Sequence, residues 1–444
     1  MADSPTHRVS LAAATAIVVA SMVGVGVFTS LGFQLASIPA GFPIMLLWIV
    51  GGVTALCGAL CYAELVAMMP RSGGEYHLLG RAFHPLIGFL AGWVSVTAGF
   101  SATVAFMAMA FGAYAHGVWP QLSETHAAVA VVVLLTILRL CGATLMERFH
   151  VALTLLKTLL IVALIVGAVM AGHPDWSLIL PKSGDSTHVF SNVFATSLFW
   201  VMFSFSGWNG AAYIAGEMER PQRNVPLALG LGTLIVMVLY VGLNAVFLSA
   251  GDWETMTGTK EVALAAARHI FGESGGTIMG GLIAFGLLST INAMLWSGSS
   301  TLRVVGQDAR ALCWLDAPDR RGEPVGAVLF MAAFALVLLG TGSYDALLNY
   351  IQALLELSAA ITVAAVIWLR IKRPDQPRPF RVPLYPLPPL LFLCVSAWML
   401  YSLFKMRPTE SLWGIATLSV GVLLYLPGVK PRKSTADNAT ATDT

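Results

Sequence analysis

The sequence predicts an all-α polytopic membrane protein of about twelve transmembrane helices, each needing about 20 mainly apolar residues, with the first and sixth helices broken. Three observations carry this. Of 444 residues, 57% are hydrophobic and 11% charged, and the mean hydropathy is +0.78, more apolar surface than one soluble core hides. Apolar runs separated by charged or Pro/Gly-rich breaks fill the chain from Leu11 to Leu426. Two of these runs are punctured by helix-weakening residues, Gly24 and Gly26 in the first and Ser204, Ser206 and Gly207 in the sixth.

Charge placement gives the orientation. Lys and Arg accumulate in cytoplasmic loops; with a cytoplasmic N-terminus and twelve alternating crossings, 19 of the 25 basic residues fall inside and five outside. Both termini are therefore expected in the cytoplasm. The one left over is Lys157, within the fifth run. The net charge of +2 follows from topology and implies no nucleic-acid partner. Cys57, Cys61, Cys141, Cys313 and Cys394 lie in or beside apolar runs and read as small buried residues, so no metal or cofactor is expected. No pair of the nine histidines has helical ligand spacing, which argues against a membrane enzyme. The first apolar run is too long for a signal peptide and lacks a small-residue cleavage site.

In chain order, residues 1–8 form a polar leader. The first span covers about residues 10–36, through the stretch Ala20-Ser21-Met22-Val23-Gly24-Val25-Gly26-Val27-Phe28. A break at mid-membrane frees backbone groups that lipid does not satisfy, so two readings stand. One is a cavity whose N–H and carbonyl groups hold a substrate; the other is close helix packing through small residues. The second span, at about 43–69, ends in Glu64 and a Pro70–Gly74 stretch expected to force a tight re-entry. The third covers 86–117, the fourth 127–140 and the fifth 151–171. Lys157 sits two turns into the fifth, where an ionisable group is a functional hypothesis by default.

The sixth span, about 192–218, repeats the logic of the first, and inverted repeats place a site between two such breaks. The seventh covers 226–248, and residues 262–271 read as a short amphipathic helix at the membrane interface. The eighth, 276–305, carries Ser289 and Ser297–Ser300. Spans nine to twelve cover 325–339, 347–369, 387–403 and 412–426. Glu356 lies within the tenth. It reads equally as a second proton-carrying group, a partner for a cationic substrate, or a carboxyl bonded to neighbouring hydroxyls.

The segment YAELVAMMPRSGGEYHLLGRAFHPLIGFLAGW from Tyr62 resembles the hallmark stretch of the amino acid–polyamine–organocation transporter superfamily, among them bacterial relatives of the L-type amino acid transporters. FSFSGWNGAAYIAGEMERPQRNVPLALG from Phe203, SGSSTLRVVGQDA from Ser297 and KRPDQPRPFRVPLYPLPPLLF from Lys372 agree with it. The resemblance implies a LeuT-type 5+5 inverted repeat plus two extra C-terminal helices. Its parts are residues 9–171 for spans one to five, 172–371 for the inverted spans six to ten, and 372–428 for spans eleven and twelve. A disordered cytoplasmic tail follows at 429–444. It also implies that Lys157 stands against the unwound first span where sodium-coupled relatives hold sodium, that Ser289 faces it, and that Phe203 is an aromatic gate. Glu356 departs from the small or apolar residue usual in relatives, so no family role passes to it.

The expected function is secondary active transport of amino acids, chiefly neutral L-amino acids, by alternating access across a cell membrane, the bacterial inner membrane. The substrate carboxylate is expected on the N–H groups of Val25, Gly26 and Val27 beside Gly24. The ammonium is expected on carbonyls near Ser21, Met22, Phe203 and Ser206, with Ser204 and Gly207 completing the second break. Helix-end dipoles match both poles of a zwitterion. Trp208, Asn209, Trp296 and Glu356 are secondary gate or pocket candidates. Lys157 acts either as a proton carrier in symport or as a fixed cation in an exchanger, and an ammonium there disfavours sodium coupling. The partners are the amino acid, protons and the lipid bilayer, with no obligatory protein subunit. The alternatives are a cationic amino acid or amine transporter and a non-transporting amino-acid sensor.

Overall fold

The computed structural model describes residues 9–69, 74–141, 145–172, 174–308, 310–318, 323–426 and 428, with 145–155, 217, 308, 310 and 311 described by backbone alone. The polar leader, the tail, residues 70–73 and several basic residues counted for orientation, among them Arg8, Arg71, Arg320, Arg321 and Lys430, lie outside the described residues.

The chain is helical nearly throughout. The first span is two helices, α1 (Leu11–Met22) and α2 (Gly26–Ser37), separated by three non-helical residues. The Ser10 hydroxyl caps α1 by accepting the Ala13 N–H at 3.3 Å. The second span is α3 (Gly41–Met68). The tight re-entry expected after it falls on residues 70–73, outside the described residues; a short helix, α4 (Gly74–Ala82), follows, and the third span comes as α5 (Pro85–Val94), a π-helical stretch (Ser95–Ala102) and α6 (Thr103–Val118). Pro85 opens α5 at a position where a missing N–H costs nothing. Next come α7 (Glu124–Leu140) and α8 (Leu145–Met170).

The sixth span holds α9 (Asn192–Ser204), a turn through Phe205–Asn209, one α-helical turn, α10 (Gly210–Tyr213), and a 3-10 turn at Ala215–Glu217. Then follow α11 (Pro221–Ala250), α12 (Trp253–Met256) and the long α13 (Val262–Asp308), which Gly272 divides by adopting φ 76°. The part of α13 before Gly272 was expected to lie at the lipid interface. Instead Val262, Ala263, Leu264, Ala266 and Ala267 are buried, and Leu264 packs on Gly117 and Gly280, so this segment covers protein. The last four helices are α14 (Val325–Leu339), α15 (Tyr344–Lys372), α16 (Leu387–Met406) and α17 (Pro408–Tyr425).

Among the described residues seven helical stretches, two of them the joined α1–α2 and α5–α6, are long and apolar enough to cross a membrane, and α9, α14 and the apolar part of α8 are shorter apolar helices. With α7 and α17 the architecture is a polytopic bundle of about twelve crossings. The side on which α1 begins is called here the N-terminal side. A large hydrophobic core runs through the bundle, with a small satellite of Ala168, Val246, Ala250 and Ile270. The inner ends of the two broken spans are tied together, since the Glu219 N–H donates to the Val9 carbonyl at 3.1 Å.

The end of the second span carries a charge cluster that the sequence did not reveal. Glu64, 1% exposed, accepts from Arg370 Nε at 2.9 Å and Nη2 at 2.5 Å and from the Val382 N–H at 2.7 Å. Arg378 stands 3.7 Å away. This fixes the N-terminal-side ends of α3 and α15 to the connection before α16.

Candidate functional site: two helix breaks in contact

α1 ends because Gly24 and Gly26 remove the side chains that favour helix. The Val23 N–H still reaches the Val19 carbonyl at 2.9 Å, and the Gly24 N–H turns back to the Met22 carbonyl at 2.7 Å. The first bond of α2 is Phe28 N–H to Val25 carbonyl, 3.0 Å. Among the described residues no backbone carbonyl accepts the N–H groups of Val25, Gly26 or Val27. Val25, Gly26 and Val27 are all buried, and an unmet buried donor costs about 1–3 kcal/mol. Three such donors at the positive end of a 12-residue helix form a ready place for an anion.

The second break lies directly against the first. A β-carbon on Gly26 would stand 2.6 Å from Ser204 Oγ and 2.7 Å from Ser204 Cα, so only glycine admits this approach. Ser204 Oγ donates to the Trp200 carbonyl at 2.8 Å and is 3.1 Å from Ser30 Oγ, which joins α9 to α2. On the other strand of the crossing, Gly207 adopts φ 101°, and a β-carbon there would come within 2.5 Å of the Ser21 carbonyl oxygen. Gly210 lies against the Ser21 hydroxyl. The structure therefore brings Ser21, Gly26, Ser204 and Gly207 together.

The carbonyls at the breaks are not equally available. The Met22 carbonyl already accepts the Tyr240 hydroxyl at 2.7 Å and the Gly24 N–H, which uses both lone pairs. That corrects the expectation that it receives a substrate ammonium. The Phe203 carbonyl accepts the Ser206 N–H at 3.0 Å, and the Phe205 N–H is shared between it and the Val201 carbonyl. The turn is closed by Trp208 N–H to Phe205 carbonyl at 3.3 Å and Gly210 N–H to Gly207 carbonyl at 2.9 Å.

Access differs on the two sides. Away from the N-terminal side, aromatic rings from α2, α6, α9 and α15 close over the breaks. Phe203 meets Phe106 edge-on with centroids 4.7 Å apart, Phe106 stacks on Tyr344 at 4.0 Å, and Phe33 stacks on Trp200 at 4.3 Å. Each such contact adds about 0.5–1.5 kcal/mol beyond area burial. Asp345 takes hydrogen bonds from Trp200 and Asn349 and pairs with Arg407 at 2.6 Å, anchoring this closure. Toward the N-terminal side, Ser21 is exposed and Gly24, Ser206, Gly207 and Asn209 are half-buried. The breaks are less covered on that side.

Lys157 is 3% exposed and donates to Thr290 Oγ1 at 2.8 Å. Its stem lies against Gly286, where a β-carbon would stand 3.1 Å from Lys157 Cγ. The partner is thus the neighbour of the expected Ser289, itself buried. Successive residues point about 100° apart on a helix of 3.6 residues per turn, and the sequence does not fix how α13 is rotated. Two carbonyls of the first broken span are held by tyrosines: Met22 by Tyr240, and Phe28 by Tyr114 at 2.8 Å.

The secondary candidates separate. Trp208 packs edge-on against Tyr62 at 4.6 Å and near Phe392. Trp296 is 49% exposed, beside Arg139, Ser300 and Arg303 and apart from the breaks. Glu356 accepts from Ser396 of α16 at 2.6 Å and from Gln352 at 3.2 Å, which is the hydroxyl-bonded reading and turns it toward the eleventh span. Asn209 donates to Glu75 of α4 at 3.4 Å. Glu75 went unread because its partners lie far away in sequence. Among the described residues no group of three or more His, Cys, Asp or Glu is placed to hold a metal.

A family profile described as "Amino acid permease" matches residues 9–425. The chain is similar to the large neutral amino acids transporter small subunit 2 of Rattus norvegicus, 28% identical over 434 residues, covering 95% of this chain and 80% of the relative. It is also similar to the b(0,+)-type amino acid transporter 1 of Mus musculus, 24% identical with 94% and 87% covered. The cystine/glutamate transporter of Pongo abelii is 25% identical, with 94% and 84% covered.

Proposed function

Because the chain belongs to the amino acid permease family, within the amino acid–polyamine–organocation superfamily, we propose that it carries free amino acids, chiefly neutral ones, across a cell membrane by alternating access. The observation that supports this most is the contact of the two breaks, with Gly26 on Ser204 and Gly207 on Ser21. The substrate carboxylate binds the N–H groups of Val25, Gly26 and Val27 beside Gly24. The ammonium binds the carbonyls of Ser21, Phe203 and Ser206. No side-chain charge is needed for either pole, which leaves the substrate side chain to apolar walls and favours neutral amino acids.

The N-terminal side is the cytoplasm in this reading, and the protein sits in the bacterial inner membrane in an inward-open form. Outward opening parts the aromatic closure around Phe203 while spans one and six rock with their neighbours against the rest, and the two five-helix units of a LeuT-type repeat, 9–171 and 172–371, supply the moving parts. Lys157 is the coupling group and its ammonium takes the place of a sodium ion; it either sheds its proton during symport or stays charged in an exchanger. Amino acid, proton and lipid suffice as partners. The rat relative's name designates a small subunit, so co-purification of a second polypeptide from native membranes would contradict this last point.

The test uses purified protein in sealed liposomes and labelled amino acids. Uptake into empty vesicles under an inward proton gradient establishes symport. Uptake only into vesicles preloaded with unlabelled amino acid establishes exchange. Binding without uptake in either case would overturn transport in favour of sensing.

A further inference from the structure

Glu75 is a carboxyl in an unusual place. It lies at the start of α4, outside the spans, yet it is 7% exposed. Tyr62 of α3 donates to its Oε1 at 2.5 Å, Ser358 of α15 donates to its Oε2, and Asn209 at the second break donates at 3.4 Å. Its neighbour Gly74 adopts φ 51° with the Tyr213 ring of α10 against it. One carboxyl thus ties Asn209, the N-cap of α10, to α3, α4 and α15, on the side where the breaks are less covered.

The groups facing Glu75 include no cation among the described residues. α3 sends Tyr62 and α10 sends Tyr213; α15 sends Ser358, while its Glu356 is turned to Ser396. His77 on α4 itself and His84, the cap of α5, are the histidines of the adjoining elements. A buried carboxylate without a cation is costly, and Tyr and Ser hydroxyls accept a proton as readily as they donate one. A protonated Glu75 is therefore satisfied where it stands. Burial pushes its carboxyl above the ordinary carboxylate range, against the three hydrogen bonds that oppose the shift. The sign follows from linkage: the buried arrangement binds the proton more tightly than a hydrated one, so falling pH favours the closed cluster and rising pH favours its opening.

We propose that Glu75 is a proton-operated latch of the substrate site. A proton from solution on the N-terminal side binds the carboxyl and holds α10 against α3 and α15; its return to solution releases α10. The reaction is proton binding alone, with no other bond made or broken. The proposal deepens the transport reading by adding a second coupling group beside Lys157, and rests on that reading only for its effect on transport.

The test reads the latch without transport. Amide hydrogen exchange of Gly210–Tyr213 is followed in the full chain in detergent or nanodiscs, corrected for the intrinsic chemical rate, from about pH 5 to about pH 8, upward from the ordinary carboxylate range. In the wild type, protection should fall with rising pH, by up to about tenfold per pH unit where one proton is linked to opening. In Glu75→Gln, an isostere of the protonated acid, α10 should stay protected with no pH dependence. Wild-type protection that is independent of pH overturns the proposal by itself, whether or not the variant folds. A Glu75→Gln protein that keeps the wild-type pH dependence also overturns it and assigns the titration to a histidine. A pH-dependent latch in a protein that moves no amino acid would contradict the transport reading alone.

Discussion

Gly26 and Ser204, 178 positions apart in the chain, meet so closely that a β-carbon on the glycine would stand 2.7 Å from the serine Cα. Backbone cannot step aside as a flexible side chain can. Gly26→Ala should therefore part α2 from α9 and misplace the N–H groups of Val25 and Val27. Amino-acid binding is expected to weaken by tenfold or more, a loss of at least about 1.4 kcal/mol. Equilibrium binding of labelled amino acid to the purified variant checks this, and unchanged affinity would remove the first break from the site.

Lys157 has a different signature, since the Thr290 hydroxyl that receives its ammonium also donates to the Gly286 carbonyl at 3.1 Å. Lys157→Ala therefore strands no donor, and loss of a buried charge with one hydrogen bond is not expected to destabilise the fold. Net uptake into liposomes should vanish while the thermal midpoint holds. Wild-type uptake would exclude Lys157 from coupling.

Glu64 should behave in the opposite way, with a structural cost and no direct part in binding. Glu64→Ala leaves the Val382 N–H without its acceptor, removes the carboxylate 3.7 Å from the buried Arg378 and deprives Arg370 of a bidentate partner. Breaking a buried pair from one side costs about 3–5 kcal/mol; Arg370 is 21% exposed, which places the loss toward the lower end. Thermal unfolding in detergent reads it, and an unchanged midpoint would contradict a stabilising role.

What the sequence made legible was punctuation. Gly24, Gly26, Ser206 and Gly207 interrupt apolar runs, and the chain breaks its first and sixth spans at those residues. Gly272 separates the 262–271 helix from the eighth span, and that boundary was also readable. Rotation of a helix about its own axis leaves no such mark. Ser289 and Thr290 are neighbours with similar side chains, and only the packing of α13 on α8 decides which hydroxyl meets Lys157. Long-range polar contacts were hidden for a related reason. Glu75 reaches partners 134 and 283 residues away, and Glu64 finds Arg370 across 306, whereas local pattern speaks only for a turn or two.

The most direct test of the central claim, that the breaks hold the two main-chain charges of an amino acid, is competition between analogues for one labelled substrate. Free L-amino acids and their carboxamides share side chain and ammonium and differ only in the group aimed at Val25, Gly26 and Val27. The predicted result is displacement by the free acid and little or none by the amide. Equal displacement by both would contradict a carboxylate site at the start of α2.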